Sequence, residues 1–166
     1  TTTTRPTPVQ IGSDTWKSVD AGYRHTCAIR SDDTLWCWGF NETYGALGDG
    51  TFTNRTAPVL VDDTAAWRSV DTSAGELGHH TCAVRGDNTL WCWGRNDQGQ
   101  VGDGGTATQP VPVQVGAEPW WTVSAGAQHT CGVRGDGTLW CWGWNDLGQI
   151  GDGTLTTPPG PVQVDA

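Results

Sequence analysis

One phrase is written three times in this chain: HTCAIRSDDTLWCWG at 25–39, HTCAVRGDNTLWCWG at 80–94 and HTCGVRGDGTLWCWG at 129–143. Recurrence this strict, at a period of about fifty residues, restricts the fold to architectures that stack one supersecondary unit on the next. Each copy carries two cysteines ten apart: Cys27 and Cys37, Cys82 and Cys92, Cys131 and Cys141.

Each copy reads as a β-hairpin. The runs TCAIR and TLWCW are β-prone and flank a three-residue loop, SDD, GDN or GDG, whose last position is Asp33, Asn88 or Gly137. Those residue types tolerate the left-handed backbone that such a loop requires. Loop length then fixes register. With residues 31–33 as the loop, Ile29 faces Leu35, Ala28 faces Trp36, and Cys27 lies opposite Cys37. Opposed residues have Cα atoms ~4.5–5.5 Å apart, a separation that a disulfide can bridge. A two-residue loop would put the sulfurs on opposite faces.

Other segments recur around the hairpin. Short strands precede it (WKSVDAG at 16–22, WRSVDTSAG at 67–75, WWTVSAG at 120–126), and turn-rich loops follow it at 39–50, 94–104 and 143–153. A last short strand closes each unit: PVLV at 58–61, VPVQ at 111–114 running on to Val115, and PVQV at 161–164. Leu35 and Cys37 point to one face of the hairpin, Trp36 and Trp38 to the other, so both faces are covered. Four strands per unit, covered on both sides and repeated at a fixed period, predict all-β propeller blades. A β-sandwich is the alternative, and it leaves the period unexplained.

The shared pattern W..V.AG..HTC....DGTLWCWG.N..GQ.GDG....P..V resembles the regulator of chromosome condensation repeat family. The likeness runs from Pro8 to Val164 and implies a β-propeller, usually of seven blades. The cysteine-bearing form resembles secreted bacterial members. Asp33 and Asn88 replace the turn glycine, the first copy has GALGDG with one extra residue, and the second has four extra residues before His80.

Propellers have about four to eight blades, so three cannot close a ring. The expected organisation is a Thr-rich segment at 1–7 and one domain at 8–166. That domain holds repeats at about 12–61, 62–115 and 116–164, preceded by an extra strand, PVQI, at 8–11. Such an open propeller exposes strands and a tryptophan-bearing face at its ends and needs a partner chain to cover them. Copies of itself, as a two-chain ring or a head-to-tail filament, satisfy that need; a longer array of which this is a fragment is the other reading.

Six cysteines in like-spaced pairs point to an oxidising, extracellular or cell-surface location. Buried thiols in a reducing cytosol remain the alternative, and the spacing without a CxxC knuckle argues against zinc. The net charge of −9 disfavours a nucleic-acid partner, and no apolar run is long enough to span a membrane. Eleven tryptophans weigh against disorder. No methionine starts the chain, which reads as a processed product from which a leader has been removed.

No catalytic fingerprint appears, so no enzyme and no cofactor are expected. His25, His80 and His129 recur at one position per copy. With His25 opposite Gly39, a ring bonded to backbone inside its own blade is preferred over a metal ring. The loops NDQGQVGDG and NDLGQIGDG lack the order of a calcium loop and read as turn networks, with structural calcium as a lesser reading. Glu76, His79 and His80 lie in the insertion TSAGELGHH, which reads as a rim loop rather than a zinc site.

Arg24, Phe40, Tyr44 and Trp144 vary between copies and are residue types favoured at interfaces; Pro8, Val9 and Ile11 of the extra strand join them. Asn41 and Asn54 head N-glycosylation sequons, and Thr1, Thr2, Thr3 and Thr4 suit O-glycans or a flexible linker. The leading expectation is a secreted, non-enzymatic structural module that self-assembles. The resemblance also implies two rivals: a protein-binding propeller of the kind that inhibits β-lactamases, and a guanine nucleotide exchange factor.

Overall fold

The computed structural model describes residues 2–62, 64 and 66–164. Twelve strands follow in order: β1 (Trp16–Ala21), β2 (His25–Arg30), β3 (Leu35–Gly39), β4 (Arg55–Asp62), β5 (Trp67–Thr72), β6 (His80–Arg85), β7 (Leu90–Gly94), β8 (Gln109–Gln114), β9 (Trp120–Ala125), β10 (His129–Arg134), β11 (Leu139–Gly143) and β12 (Val162–Gln163). They form three antiparallel sheets, β1–β4, β5–β8 and β9–β12, each meandering in sequence order. These are the blades of an open β-propeller.

Hairpin register follows loop length. Ile29 pairs with Leu35, Ala28 with Trp36, Cys27 with Cys37 and His25 with Gly39, and the other two hairpins repeat the pattern. Asp33, Asn88 and Gly137 adopt φ of 68°, 68° and 87°. Each hairpin also carries a local brace that the phrase D.TLW encodes. The Thr34 backbone N–H and hydroxyl both donate to Asp32 Oδ1 (3.1 and 2.6 Å), and Trp36 Nε1 donates to Thr34 Oγ1 (2.8 Å). Asp87, Thr89 and Trp91, and Asp136, Thr138 and Trp140, do the same. Arg30, Arg85 and Arg134 lie over Trp36, Trp91 and Trp140 at 4.5, 4.0 and 3.6 Å, capping each indole with a cation.

The cysteines of each pair come to disulfide-bonding distance, with Cα atoms 4.1 Å apart in every blade. Closing a ten-residue loop restricts the unfolded chain by about 2–3 kcal/mol per bond on the entropic account.

Between blades the core divides in two. Cys27, Ile29, Leu35, Cys37 and Leu47 of the first blade pack on Trp67, Ala83 and Trp93 of the second. Cys82, Val84, Leu90, Cys92 and Val101 of the second pack on Trp120, Val123 and Trp142 of the third. Blade-to-blade packing is thus directional: a cystine-and-leucine face meets a tryptophan face.

One expected strand differs. Residues 8–11 join no sheet, because each described sheet already holds four strands and the strand that PVQI would extend belongs to a preceding blade. The last strand is also short: β12 covers two residues of PVQV.

Candidate interaction surfaces

Two sealed interfaces show what a blade face recognises. At the first, the Ala46 carbonyl accepts hydrogen bonds from Trp93 Nε1 and Thr81 Oγ1, both 2.9 Å. At the second, the Gln100 carbonyl accepts from Trp142 Nε1 (3.0 Å) and Thr130 Oγ1 (2.8 Å). These carbonyls sit in the repeated GALGDG and GQVGDG turns, and Gly48 and Gly102 make room for the indole. A Cβ on Gly102 would lie 2.5 Å from Trp142 Nε1, and one on Gly48 2.6 Å from Trp93 Nε1. Backbone bonds add to the seal: Trp67 N–H donates to the Asp33 carbonyl (2.9 Å) and Trp120 N–H to Asn88 (2.8 Å).

The histidines belong to the same interfaces. His25 Nε2 bonds Thr81 Oγ1 (2.8 Å) and His80 Nε2 bonds Thr130 Oγ1 (3.0 Å), each across to the next blade. The expectation of a bond to backbone within the blade is therefore corrected: pairing with Gly39 leaves the ring directed at the neighbouring sheet. Burial pushes His25 down to about 4 and His80 to about 3, because charging an imidazole there forfeits hydration. Neutral rings suit a hydroxyl partner. Among the described residues, no three His, Cys, Asp or Glu side chains converge as a metal site. The Asn96 amide instead bonds Asp103 and the Gly105 and Ala107 carbonyls, so this loop is closed on itself.

The outward faces of the first and third blades repeat these halves without the other half. Trp38 is the counterpart of Trp93 and Trp142, yet it is only half-buried and rests on Trp16 at 6.1 Å. A cavity of about 670 Å³ separates this face from residues 3–12; Val9, Ile11, Trp16, Arg30, Trp38 and Pro58 line it. Val9 and Ile11, expected at an interface, thus lie over the first blade's tryptophan face, 57% and 49% exposed, while Pro8, expected with them, is exposed and does not line the cavity. At the far end Leu139 is 42% exposed, whereas Leu35 and Leu90 are fully buried.

A third surface lies on the rim between the first two blades. The insertion brings His79 among Tyr44 (stacked, 4.9 Å), Phe40 (5.4 Å) and Tyr23 (6.2 Å). Arg24 lies over Tyr23 and Phe40 at 5.1 and 5.7 Å, and Arg95 over Tyr44 at 5.2 Å. Burial and the two arginines lower the His79 pKa. Three of the four variable residues therefore meet. Trp144 does not; it occupies the Phe40 position of the third blade and is half-buried. Glu76 is exposed and stays out of the cluster.

The sequons separate. Asn41 is fully buried; its amide nitrogen donates to Asp49 and the Thr51 carbonyl, and its oxygen accepts from Leu47 N–H. A glycan there would require breaking that network, so Asn41 is withdrawn as an acceptor. Asn54 is exposed, as are Thr2, Thr3 and Thr4, while Thr1 lies outside the described residues.

Two profiles of the regulator of chromosome condensation (RCC1) repeat match this sequence, one at 16–46, 70–100 and 122–149, the other at 32–84, 87–133 and 136–166. The chain belongs to the RCC1 repeat family. It is 35% identical to the ultraviolet-B receptor UVR8 of Arabidopsis thaliana over 94 residues, 57% of this chain and 21% of the receptor. It is 32% identical to the human E3 ubiquitin-protein ligase HERC2 over 97 residues, 58% of this chain and 2% of the ligase. The chain therefore spans a small part of these relatives. Its fold matches crystalline Prp20p of Saccharomyces cerevisiae with a TM-score of 0.78 at 24% identity, covering 91% of this chain and 38% of Prp20p. Prp20p has binding properties towards Gsp1p and histones, and yeast RCC1 (Prp20) has been solved with Kap60 bound. The named relatives are diverse: a light receptor, a ubiquitin-protein ligase and a yeast protein with binding properties towards Gsp1p and histones.

Proposed function

We propose that this chain is a secreted, non-enzymatic interaction module that docks head to tail on copies of itself, forming a ring or a filament. One observation carries the reading: its two outward faces are the two halves of an interface that it builds twice internally. The first blade offers Trp38, Thr26 and the Trp16 N–H; the third offers the Gln149 and Gly137 carbonyls, with Gly151 to seat an indole. In the internal register, Gln149 of one copy accepts from Trp38 Nε1 and Thr26 Oγ1 of the next, and His129 Nε2 meets that same threonine. Completing the burial of the half-buried Trp38 removes about half of the ~150–250 Å² that a tryptophan buries, a gross gain of ~2–3 kcal/mol at ~25 cal/mol/Å². Three cystine-closed hairpins favour an extracellular or cell-surface setting, and the exposed sequon at Asn54 is compatible with it. Sedimentation velocity over a concentration series tests the reading: dimers or longer species are expected, and a monomer at every concentration up to ~100 µM would overturn it.

The rim cluster favours a second reading, a protein-binding or inhibitory propeller. Arg24, Phe40 and Tyr44 have the side chains that anchor protein interfaces. Arg24→Ala with Tyr44→Ala abolishes capture of such a partner and leaves self-association intact. Exchange-factor activity draws only on family analogy; nucleotide release from a small GTPase is expected to be unchanged by this chain.

A further inference from the structure

We infer that residues 8–11 are a donor strand that, in the head-to-tail pair, occupies the outer edge of the preceding copy's third blade and displaces β12. The inference rests on the head-to-tail reading above and adds which segment crosses between copies.

The starting observation is that 8–16 and 112–120 are the same local structure. Pro8-Val9-Gln10-Ile11-Gly12 and Pro112-Val113-Gln114-Val115-Gly116 stand the same distance before Trp16 and Trp120. Gln10 Nε2 donates to the Gly12 carbonyl at 3.0 Å, as Gln114 Nε2 does to Gly116 at 3.1 Å. Gly12 and Gly116 share a φ of 63°, a left-handed turn that glycine enters without strain. Ser31 N–H donates to the Thr15 carbonyl as Gly135 N–H does to Pro119. The turn leading into Trp16 is therefore already set as it is between the second and third blades.

In the sealed case the segment before that turn is the outer strand of the preceding blade. Val113 pairs with Cys92 and Gln114 with Trp91. Val115 N–H donates to the Leu90 carbonyl at 2.9 Å, and Val115 is fully buried. When a second copy's third blade docks on the first blade in this register, Val9 falls opposite its Cys141 and Gln10 opposite its Trp140. Those positions are held by Val162 and Gln163 of β12. Two segments claim one slot.

Residues 8–11 are favoured for it. They form no ladder in the free chain and leave Val9 and Ile11 half exposed, so they give up little. β12 offers two paired residues and two flanking bonds, Val164 N–H to the Leu139 carbonyl and Gly143 N–H to the Pro158 carbonyl, against eight residues in β4 and six in β8. Tethering by Gly12 to a docked Trp16 also places 8–11 at that edge at high effective concentration.

Three full-length variants test this by sedimentation velocity beside the parent chain. Ile11→Pro removes the N–H that would bond Leu139 of the second copy; it is expected to weaken association at least tenfold while thermal unfolding of the monomer stays unchanged. Ile11→Ala keeps the N–H and is expected to lose less. Val164→Pro frees the slot and is expected to tighten association severalfold; where it does not fold, Ile11→Pro decides alone. If Ile11→Pro associates as well as the parent or better, or Val164→Pro associates more weakly, strand exchange is wrong and head-to-tail docking stands. If the parent chain does not associate at all, both fail.

Discussion

Trp93 and Trp38 occupy the same place in successive repeats and live in different surroundings. Trp93 is fully buried, its indole N–H on the Ala46 carbonyl and its ring edge-on to Trp67 at 6.2 Å. Trp38 is half-buried beside a cavity, with residues 3–12 standing off from it. Sequence alone therefore does not decide whether a repeat position is core; the blade that precedes it does. The interface is built twice among the described residues, and the outward faces of the first and third blades carry its separate halves.

The sharpest way to break this comparison is to truncate both rings. Trp93→Ala is expected to cost about 3–5 kcal/mol in denaturant unfolding, whereas Trp38→Ala costs about 1 kcal/mol or less in the dilute chain. Equal losses would mean that the outward face is already core. The glycines that seat the indoles give the next contrast. Gly102→Ala, with its Cβ 2.5 Å from Trp142 Nε1, is expected to cost about 2–4 kcal/mol. Gly151→Ala, whose nearest neighbour would be Val164 Cγ1 at 3.4 Å, costs about 1 kcal/mol of left-handed strain.

Removing cystines sharpens the comparison further. All three close loops of equal length, so each double Cys→Ala variant loses about 2–3 kcal/mol on the entropic account. Any extra loss measures packing, and it is expected for Cys82 and Cys92, fully buried between blades, over Cys131, which is half-buried at the open end.

A further contrast is in pH. His25 and His80 are held near 4 and 3 in the folded chain against 6.5 when unfolded, so between those values the unfolded chain binds more protons. Stability from these rings is complete above about pH 6.5 and falls as pH drops towards their folded values. Denaturant melts from pH 7 to 4 are expected to show that decline. His80→Gln, which removes the group of larger shift, flattens the slope; an unchanged slope would place the proton uptake elsewhere.

Much of this molecule is legible in its sequence because hairpins are local. A three-residue loop between β-prone runs fixes register, and register fixes which cysteines meet; Cys27 opposite Cys37 follows from counting. The blade period shows in the same way. What is not legible is whatever crosses from one blade to the next. His25 looks as if it serves its own sheet and instead bonds Thr81, fifty-six residues on. His79 looks like a lone insertion residue, and three-dimensional packing makes it the hub on which Phe40 and Tyr44 meet. The signal available was that the insertion carries a histidine beside, rather than at, the repeated position. Asn41 matched a sequon, but the same asparagine recurs as Asn96 and Asn145, each bonding the turn that follows it; that recurrence marks a turn-former rather than a glycan acceptor. PVQI has the composition of a strand, yet it joins no described sheet.

One measurement tests head-to-tail docking most directly: mix a chain defective only at its tryptophan face, Trp38→Ala, with one defective only at its receiving face, Gly151→Val, and determine the mass by sedimentation velocity. Docking in the internal register predicts that each alone stays monomeric and that the mixture forms a 1:1 dimer that grows no further, because one intact face of each kind remains. A mixture that stays monomeric while the parent chain associates, or either variant assembling alone as the parent does, would contradict it.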